Sequence, residues 1–424
     1  MWNQRRANAW LWVELCIVTV LLWYGIDLVY NYEGAAWQPK GYDTSCVFDL
    51  TVGDKPLEVI NDADNQQAGK DFAYLYNLIK DYPGVEEVCA YHGSIPYTGD
   101  AMFEGFASHT DSAHVVSCFI RYVTPSYFKV FRLKPIAGQL DEAHWSPAEY
   151  PMPALMSVDL ADSLFHQPNV ADAVGKTCFN PYWLKRDNPV TNYRVAAVLP
   201  RHKLDDYERY EPFIYLPAQQ AFWWQHVAIR VAPDQVAGFA ERFRKDMQPV
   251  FDRGIFYLNT IRSYDDMKEA YDIQQGTVNY LNTVYAVAAF FLFNIFLCVF
   301  ATFWYRTRKR RCEVALRMAM GSSRRTVMGH FLLEGLALLL LAAVPALLIA
   351  FNIQLADLTV HTLVDVSATR FVGCFCVALL LMALIILAGI WYPARQAMKV
   401  QPAEALHDEL SCTDIGRHIL ITKM

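Results

Sequence analysis

From Gln274 to Tyr305 the chain carries no charged residue. This run exceeds the ~20 apolar residues that a helix needs to cross a bilayer, so it constrains the fold more than any other feature. Gly335–Ala356 and Phe371–Ala394 behave alike. An earlier run, from about Trp10 to Tyr30, is broken by Glu14 and Asp27. With 54% hydrophobic residues over 424, the chain is too apolar for an ordinary soluble protein and reads as a mixed one. Its net charge of −6 argues against nucleic acid as the main partner.

Charge gives the orientation. Arg306–Arg325 carries eight Lys/Arg against one acid, Glu313, between the second and third apolar runs. Lysine and arginine next to spans mark the cytoplasmic side, and Trp304 and Tyr305 just before them suit the inner interface. Arg5 and Arg6 precede the first run, which is long, Trp/Tyr-flanked and without a small-x-small cleavage site, as expected of an uncleaved anchor. The expected order is therefore a cytoplasmic N-terminus (1–9), a first span (10–30) and an extracytoplasmic α+β domain (31–262). A stalk helix (263–280) then continues without a break into the second span (281–305). A cytoplasmic coupling segment (306–329), a third span (330–356), a short outer loop (357–370), a fourth span (371–392) and a cytoplasmic tail (393–424) complete the chain. The fold class is a four-helix membrane protein with an α+β domain inserted between its first and second helices.

Within the outer segment, Val115–Val123, Tyr193–Leu199 and Val227–Val231 read as strands from their β-branched and aromatic content. Phe72–Lys80 and Ala237–Met247 have helical spacing with polar faces. Ser263–Gln275 is polar and helix-compatible, and Pro345 predicts a kink in the third span. Cys46, Cys89, Cys118 and Cys178 fall in the outer segment, where two disulfides or free thiols are both open. Ala173–Thr177 ends like a Walker A loop, but position 170 is valine, not the leading glycine, so no phosphate site is expected. No H-E-x-x-H, G-x-S-x-G or paired His/Cys ligand set occurs, which leaves no catalytic residue, metal or cofactor to assign.

Two carboxylates inside apolar sequence stand out. The residues between Glu14 and Asp27 span only ~18 Å of helix, less than a ~30 Å hydrocarbon core. At least one of them must lie near or below the interface, and Glu14 is expected to contact another span. Glu334, at the start of the third span, is the other intramembrane candidate. No row of charges fit for an ion path is present, which argues against a stand-alone secondary transporter.

The run E-V-x-x-R-x-A-x-G at Glu313, Val314, Arg317, Ala319 and Gly321, followed by Ser323-Arg324-Arg325 and Phe331-Leu332-Leu333-Glu334, resembles the cytoplasmic coupling segment of MacB/FtsX-type ABC transporter permeases. So does the tail, with Tyr392-Pro393-Ala394-Arg395-Gln396-Ala397 and then Pro402, Ala403, Ala405 and Leu406. Val123–Val130 running into Ala137-Gly138, Ala154–Phe165, Val174–Thr177 and Tyr193–Val198 are similar, in order, to a MacB-type periplasmic core domain. The resemblance implies a permease subunit that carries ATP-driven motion of a separate ATPase through coupling helix and stalk to a periplasmic domain, for efflux or mechanotransmission. ATP hydrolysis would lie on the partner, so the chain is no enzyme. It also implies a cytoplasmic ABC ATPase and a second permease subunit, identical or not, as partners, with a periplasmic adaptor or substrate protein and membrane lipids. The location would be the bacterial inner membrane, with both termini cytoplasmic. Glu313, Val314, Arg317, Ala319, Gly321, Arg324 and Arg325 are the expected ATPase-coupling residues. The alternative class is a membrane-anchored extracytoplasmic sensor or binding module without an ATPase, although an anchor needs one span rather than four.

Overall fold

The computed structural model describes residues 5–54, 62–184, 192–218, 226–251, 256–309, 317–318 and 320–397. It divides into two compact units, one formed by Met1–Ala35 with Tyr280–Met424 and the other by Ala36–Asn279.

Helix α1 (Arg5–Trp37) opens the chain. The second unit then runs β1 (Val47–Asp54), α2 (Asp62–Lys80), β2 (Val85–His92), β3 (Phe103–Ser108), β4 (Val116–Val123), α3 (Tyr127–Val130) and β5 (Ala137–Gly138). It continues with β6 (Met152–Ser157), α4 (Val158–Phe165), β7 (Thr177–Phe179), α5 (Pro181–Leu184), β8 (Asn192–Leu199) and β9 (Phe213–Pro217). It ends with β10 (His226–Val231), α6 (Phe239–Phe251), β11 (Phe256–Ser263) and α7 (Tyr264–Gln274). The sequence-expected strands and helices fall on β4, β8, β10, α2 and α6. Strands such as Phe213–Pro217 escape alternation because they are buried on both faces, so their apolar residues run continuously.

The sheet has two parts. Strands β11, β1, β10 and β2 pair antiparallel in that order, and α2 and α6 cover one face of them. Phe72, Leu75 and Ile79 of α2 and Phe239, Phe243 and Phe251 of α6 lie one or two turns apart, which puts them on one helical face against Phe48, Val88 and Ile229. Burying one such phenylalanine stabilises the fold by about 2 kcal/mol. Beyond β2, strands β4, β3, β7, β8, β6 and β9 follow, and β9 pairs back in parallel with β4. These six therefore close into a ring, with α4 packed on it through Leu160, Ala161 and Leu164. An aromatic core that includes Tyr42, Tyr91, Tyr127, Phe131, Tyr215 and Tyr264 joins the two parts.

The expected single stalk-and-span helix is a correction. Helix α7 stops at Gln274 and α8 (Thr277–Lys309) begins after Gly276, whose φ of +76° is open to glycine and strained for other residues. Gln275 and Gly276 donate to Tyr271 and Ile273 carbonyls and so close the end of α7.

In the first unit, α1, α8, α9 (Arg324–Leu355) and α10 (Ala368–Ala397) are each long and apolar enough to cross a membrane, over Leu11–Trp37, Thr277–Tyr305, Arg324–Leu355 and Ala368–Pro393. Pro345 lies inside α9 without ending it. Ala342, Ala346 and Ala350 are fully buried along one side of α9. A Cβ on Gly335 would come within 2.6 Å of Ile390, so α9 and α10 approach closely there.

Candidate functional site

Just ahead of α9, in the described residues after 316, the chain makes a tight corner. Glu313, Val314 and Ala319 lie outside the described residues. Arg317 and Met318 are helical, and the helix ends in a Schellman motif. Ser322 N–H donates to Arg317 O at 3.0 Å, Gly321 N–H donates to Met318 O at 3.0 Å, and Gly321 takes φ +94°. Two residues on, Ser323 caps α9, its Oγ accepting from Thr326 N–H at 3.2 Å. Met318 packs against buried Val327 together with Phe331, so an apolar contact spans the corner.

Arg317, Gly321, Arg324 and Arg325 are exposed. Arg324 and Arg325 occupy the first turn of α9, which holds no acidic residue. The helix dipole is unfavourable to cations at that end, so two arginines there cost local stability instead of adding to it. Glu334 is half-buried further along α9.

The membrane unit places its remaining polar groups at a few points. Cys298 of α8 donates its thiol to Glu14 Oε1 at 2.9 Å. Asp27, which has the same apolar surroundings in sequence, forms a buried bidentate pair with Arg370 of α10, Nε to Oδ1 and Nη2 to Oδ2 both at 2.8 Å. Arg370 also donates to the Val364 and Val360 carbonyls at 2.6 and 2.7 Å. One turn on from Asp27, Asn31 accepts from Leu363 and Val364 N–H and donates to Thr362 Oγ1. Sequence reasoning missed Arg370, although an aspartate in an apolar span demanded a cation somewhere. Asn294 and Asn352 satisfy themselves on the carbonyls of Phe290 and Leu348, one turn back. Trp304 stacks on Tyr392 at 5.8 Å.

The outer unit buries charges too. Asp49 accepts from Tyr91 at 2.8 Å and lies 3.0 Å from His226 Nδ1. Burial lowers the His226 pKa, but the Asp49 carboxylate outweighs it and raises the net value. Arg121, fully buried, donates to the carbonyls of Gly93 and Ser94 and to Tyr127 OH at 2.6 Å. Its guanidinium lies over the Phe213 ring at 4.9 Å, so aromatic faces rather than a carboxylate surround the charge. Gly175-Lys176-Thr177 runs into β7, with Gly175 N–H bonded to Val195 O, and no helix follows it as a phosphate loop requires. Cys46, Cys89, Cys118 and Cys178 are free thiols.

Comparison with known proteins agrees with this division. The model of the FtsX-like permease C-terminal family matches residues 285–402, and that of the MacB-like periplasmic core domain matches residues 48–245. Together they take in about three quarters of the chain. No curated protein matches its sequence. Among solved structures it is similar to a crystallised domain of a candidate permease protein from Porphyromonas gingivalis. That likeness has 15% identity, covers 51% of this chain and 88% of the other, and at a TM-score of 0.30 carries no argument. The matched domains make the chain a permease subunit of an ABC transporter, in the inner membrane with a periplasmic domain. By its two domains, the chain belongs to the MacB/FtsX-type permeases.

Proposed function

We propose that this permease passes the motion of a separate cytoplasmic ATPase, through the corner between α8 and α9, to its periplasmic domain. The observation that carries the reading is the pair of exposed arginines in the first turn of α9, beside a helix end fixed by Gly321. They oppose the helix dipole, which is understandable if they serve an acidic surface or lipid phosphates outside the chain. Arg317, Arg324 and Arg325 then contact the ATPase or headgroups. Gly321 and Ser323 set the angle of the contact, and Glu313, Val314 and Ala319 complete the segment. Both termini lie in the cytoplasm.

A second permease subunit fits the open aromatic side of α8, where Phe290, Phe291 and Phe293 are exposed. Substrate need not pass between the spans, because Asn294 and Asn352 bond back to their own helices rather than line a path. Work on a periplasmic partner or efflux cargo would be done by the outer domain. The test is recovery of a Walker-motif ATPase with the tagged full chain in mild detergent. Arg317→Glu is expected to abolish recovery while membrane insertion stays normal. Normal recovery from that variant overturns the assignment of the corner.

A further inference from the structure

The loop from residue 200 to 212, between β8 and β9, does something loops seldom do: it buries a run of polar and charged groups in its first half, while Arg201, Arg209 and Glu211 stay exposed. His202, Lys203, Asp205 and Asp206 are all at most 4% exposed. Burial of that kind is tolerated when each group is paired, and the pairing here follows a pattern. One set of bonds grips the chain just after α1. Lys203 N–H donates to Lys40 O at 3.2 Å, Tyr210 OH to Pro39 O at 3.1 Å, and Tyr42 OH to Leu204 O at 2.8 Å. Lys40 Nζ reaches Asp206 Oδ1 at 3.2 Å. The other oxygen of the same carboxylate, Oδ2, takes Lys268 of α7 at 2.5 Å. Tyr97 braces the centre. It receives a bond from Lys40 Nζ at 2.6 Å, donates its OH to Asp206 Oδ2 at 3.3 Å and its N–H to Asp205 Oδ1 at 2.7 Å, and sets its ring edge-on to Tyr271 of α7.

Lys40 follows the end of α1 by three residues, and Lys268 lies on the helix that precedes α8. Asp206 thus bridges the two pieces of chain through which the outer domain continues into the first and second membrane helices. Those two connections are built differently. Helix α1 is unbroken from Arg5 to Trp37, whereas the other connection is interrupted at Gly276. A glycine break alone would let α7 yield independently of its neighbour.

We propose that Asp206 is a coupling residue that ties the exit of α1 to α7, so that the two connections act on the outer domain as one lever. The source of the motion rests on the permease reading; the tie itself does not. Pulling on either connection loads the same carboxylate, and the continuous α1 compensates for the break beside Gly276.

The test is amide hydrogen exchange on the full chain in lipid nanodiscs. In Lys268→Met, exchange is expected to rise about tenfold both in α7 and in residues 40–42. Lys40→Met should show the reciprocal rise in α7, and Asp206→Asn both rises together. Protection of Ile120, in a strand remote from Asp206 in sequence, reports that the domain stays folded. If Asp206→Asn does not fold, the two lysine variants decide the matter alone. Loosening confined to whichever side was substituted overturns the proposal. A second arm uses the complex with its ATPase. ATP-driven exchange changes in the outer domain should vanish in Asp206→Asn while ATPase recovery is kept, and undiminished changes also overturn the tie. Absence of any recovered ATPase counts against the permease reading instead, and leaves the reciprocal loosening as the measure of the tie.

Discussion

In the membrane unit, the buried Asp27–Arg370 pair and the loop that Asn31 holds stand among leucine, alanine, isoleucine and phenylalanine. The outer domain instead threads polar groups through its core: Arg121 in a cage of rings, Asp49 beneath Tyr91 and His226, and Asp206 between two lysines. The contrast follows from the surroundings. Water beside a soluble domain can replace a lost partner at modest cost, so many medium-strength contacts share the work. Hydrocarbon replaces nothing, so a membrane helix carries few charged groups, and a buried one needs a closely matched partner. In the membrane unit, polar contacts fix which helix meets which; in the outer domain they fix how parts of one fold pull together.

The largest effect should come from splitting the Asp27–Arg370 pair. Asp27→Leu or Arg370→Met alone leaves a buried charge unpaired and should cost ~3–5 kcal/mol, read as loss of thermal stability of the full chain in detergent. The double variant should regain most of that loss. Asp49→Asn, the outer-domain counterpart, should cost only about 1–2 kcal/mol because the amide still accepts from Tyr91. Equal losses for Asp27→Leu and Asp49→Asn would break the comparison.

Next in size is Gly321→Val. Its φ of +94° is strained for a branched residue, by about 1–3 kcal/mol, although open space surrounds the position. The expected result is weakened ATPase recovery with stability of the outer domain unchanged; full recovery would remove the corner's geometry from the coupling argument.

The smallest effect is on pH, and it belongs to the outer domain. Burial pushes the Asp206 carboxyl up, but Lys268 and Lys40 outweigh it and hold it below the usual value of 3.8. A depressed carboxylate contributes stability above its unfolded pKa and loses it as pH falls through the folded one, so Asp206 weakens below about pH 4. Glu208 moves the other way. Burial, then Asp205 and Glu211, push it up to about 7. Burial, only partly countered by Lys268, pushes Asp272 up to about 6. Raised groups contribute stability at low pH and lose it as pH rises through those values. The thermal unfolding temperature should therefore fall below about pH 4 and fall again as pH rises toward 7. Glu208→Gln with Asp272→Asn should flatten the alkaline limb; an unchanged limb would show that these groups are not linked to folding.

Much of this was legible in the residues, and what was not has a common cause. Three of the four spans follow from uncharged apolar runs and the first from a long apolar run despite Glu14 and Asp27, and β4 and β10 follow from β-branched and aromatic clusters, because local composition suffices. Asp27 was visible as a problem, but Arg370 lies 343 positions away, and nothing local names a partner at that distance. Asp206 was hidden for the same reason, since its two lysines come from opposite ends of the outer domain's sequence. Gly276 erred in the other direction. A lone glycine inside an uncharged run is tolerated in helices, so the run alone predicts one helix, whereas the backbone uses the glycine's freedom to stop. The corner at Gly321 was half visible: the glycine signalled a stop, while Ser323, two residues later, restarts the chain as a cap that apolar patterning does not register.

That corner also fixes phase. Helix stop and helix start share so few residues that the angular setting of Arg324 and Arg325 is keyed to that of Arg317. One residue added between Gly321 and Ser323 would swing one set against the other by ~100° without altering any side chain. Chain length there thus constrains the corner as residue identity does, and a segment grafted in its place would have to match this chain in count before it could match in charge.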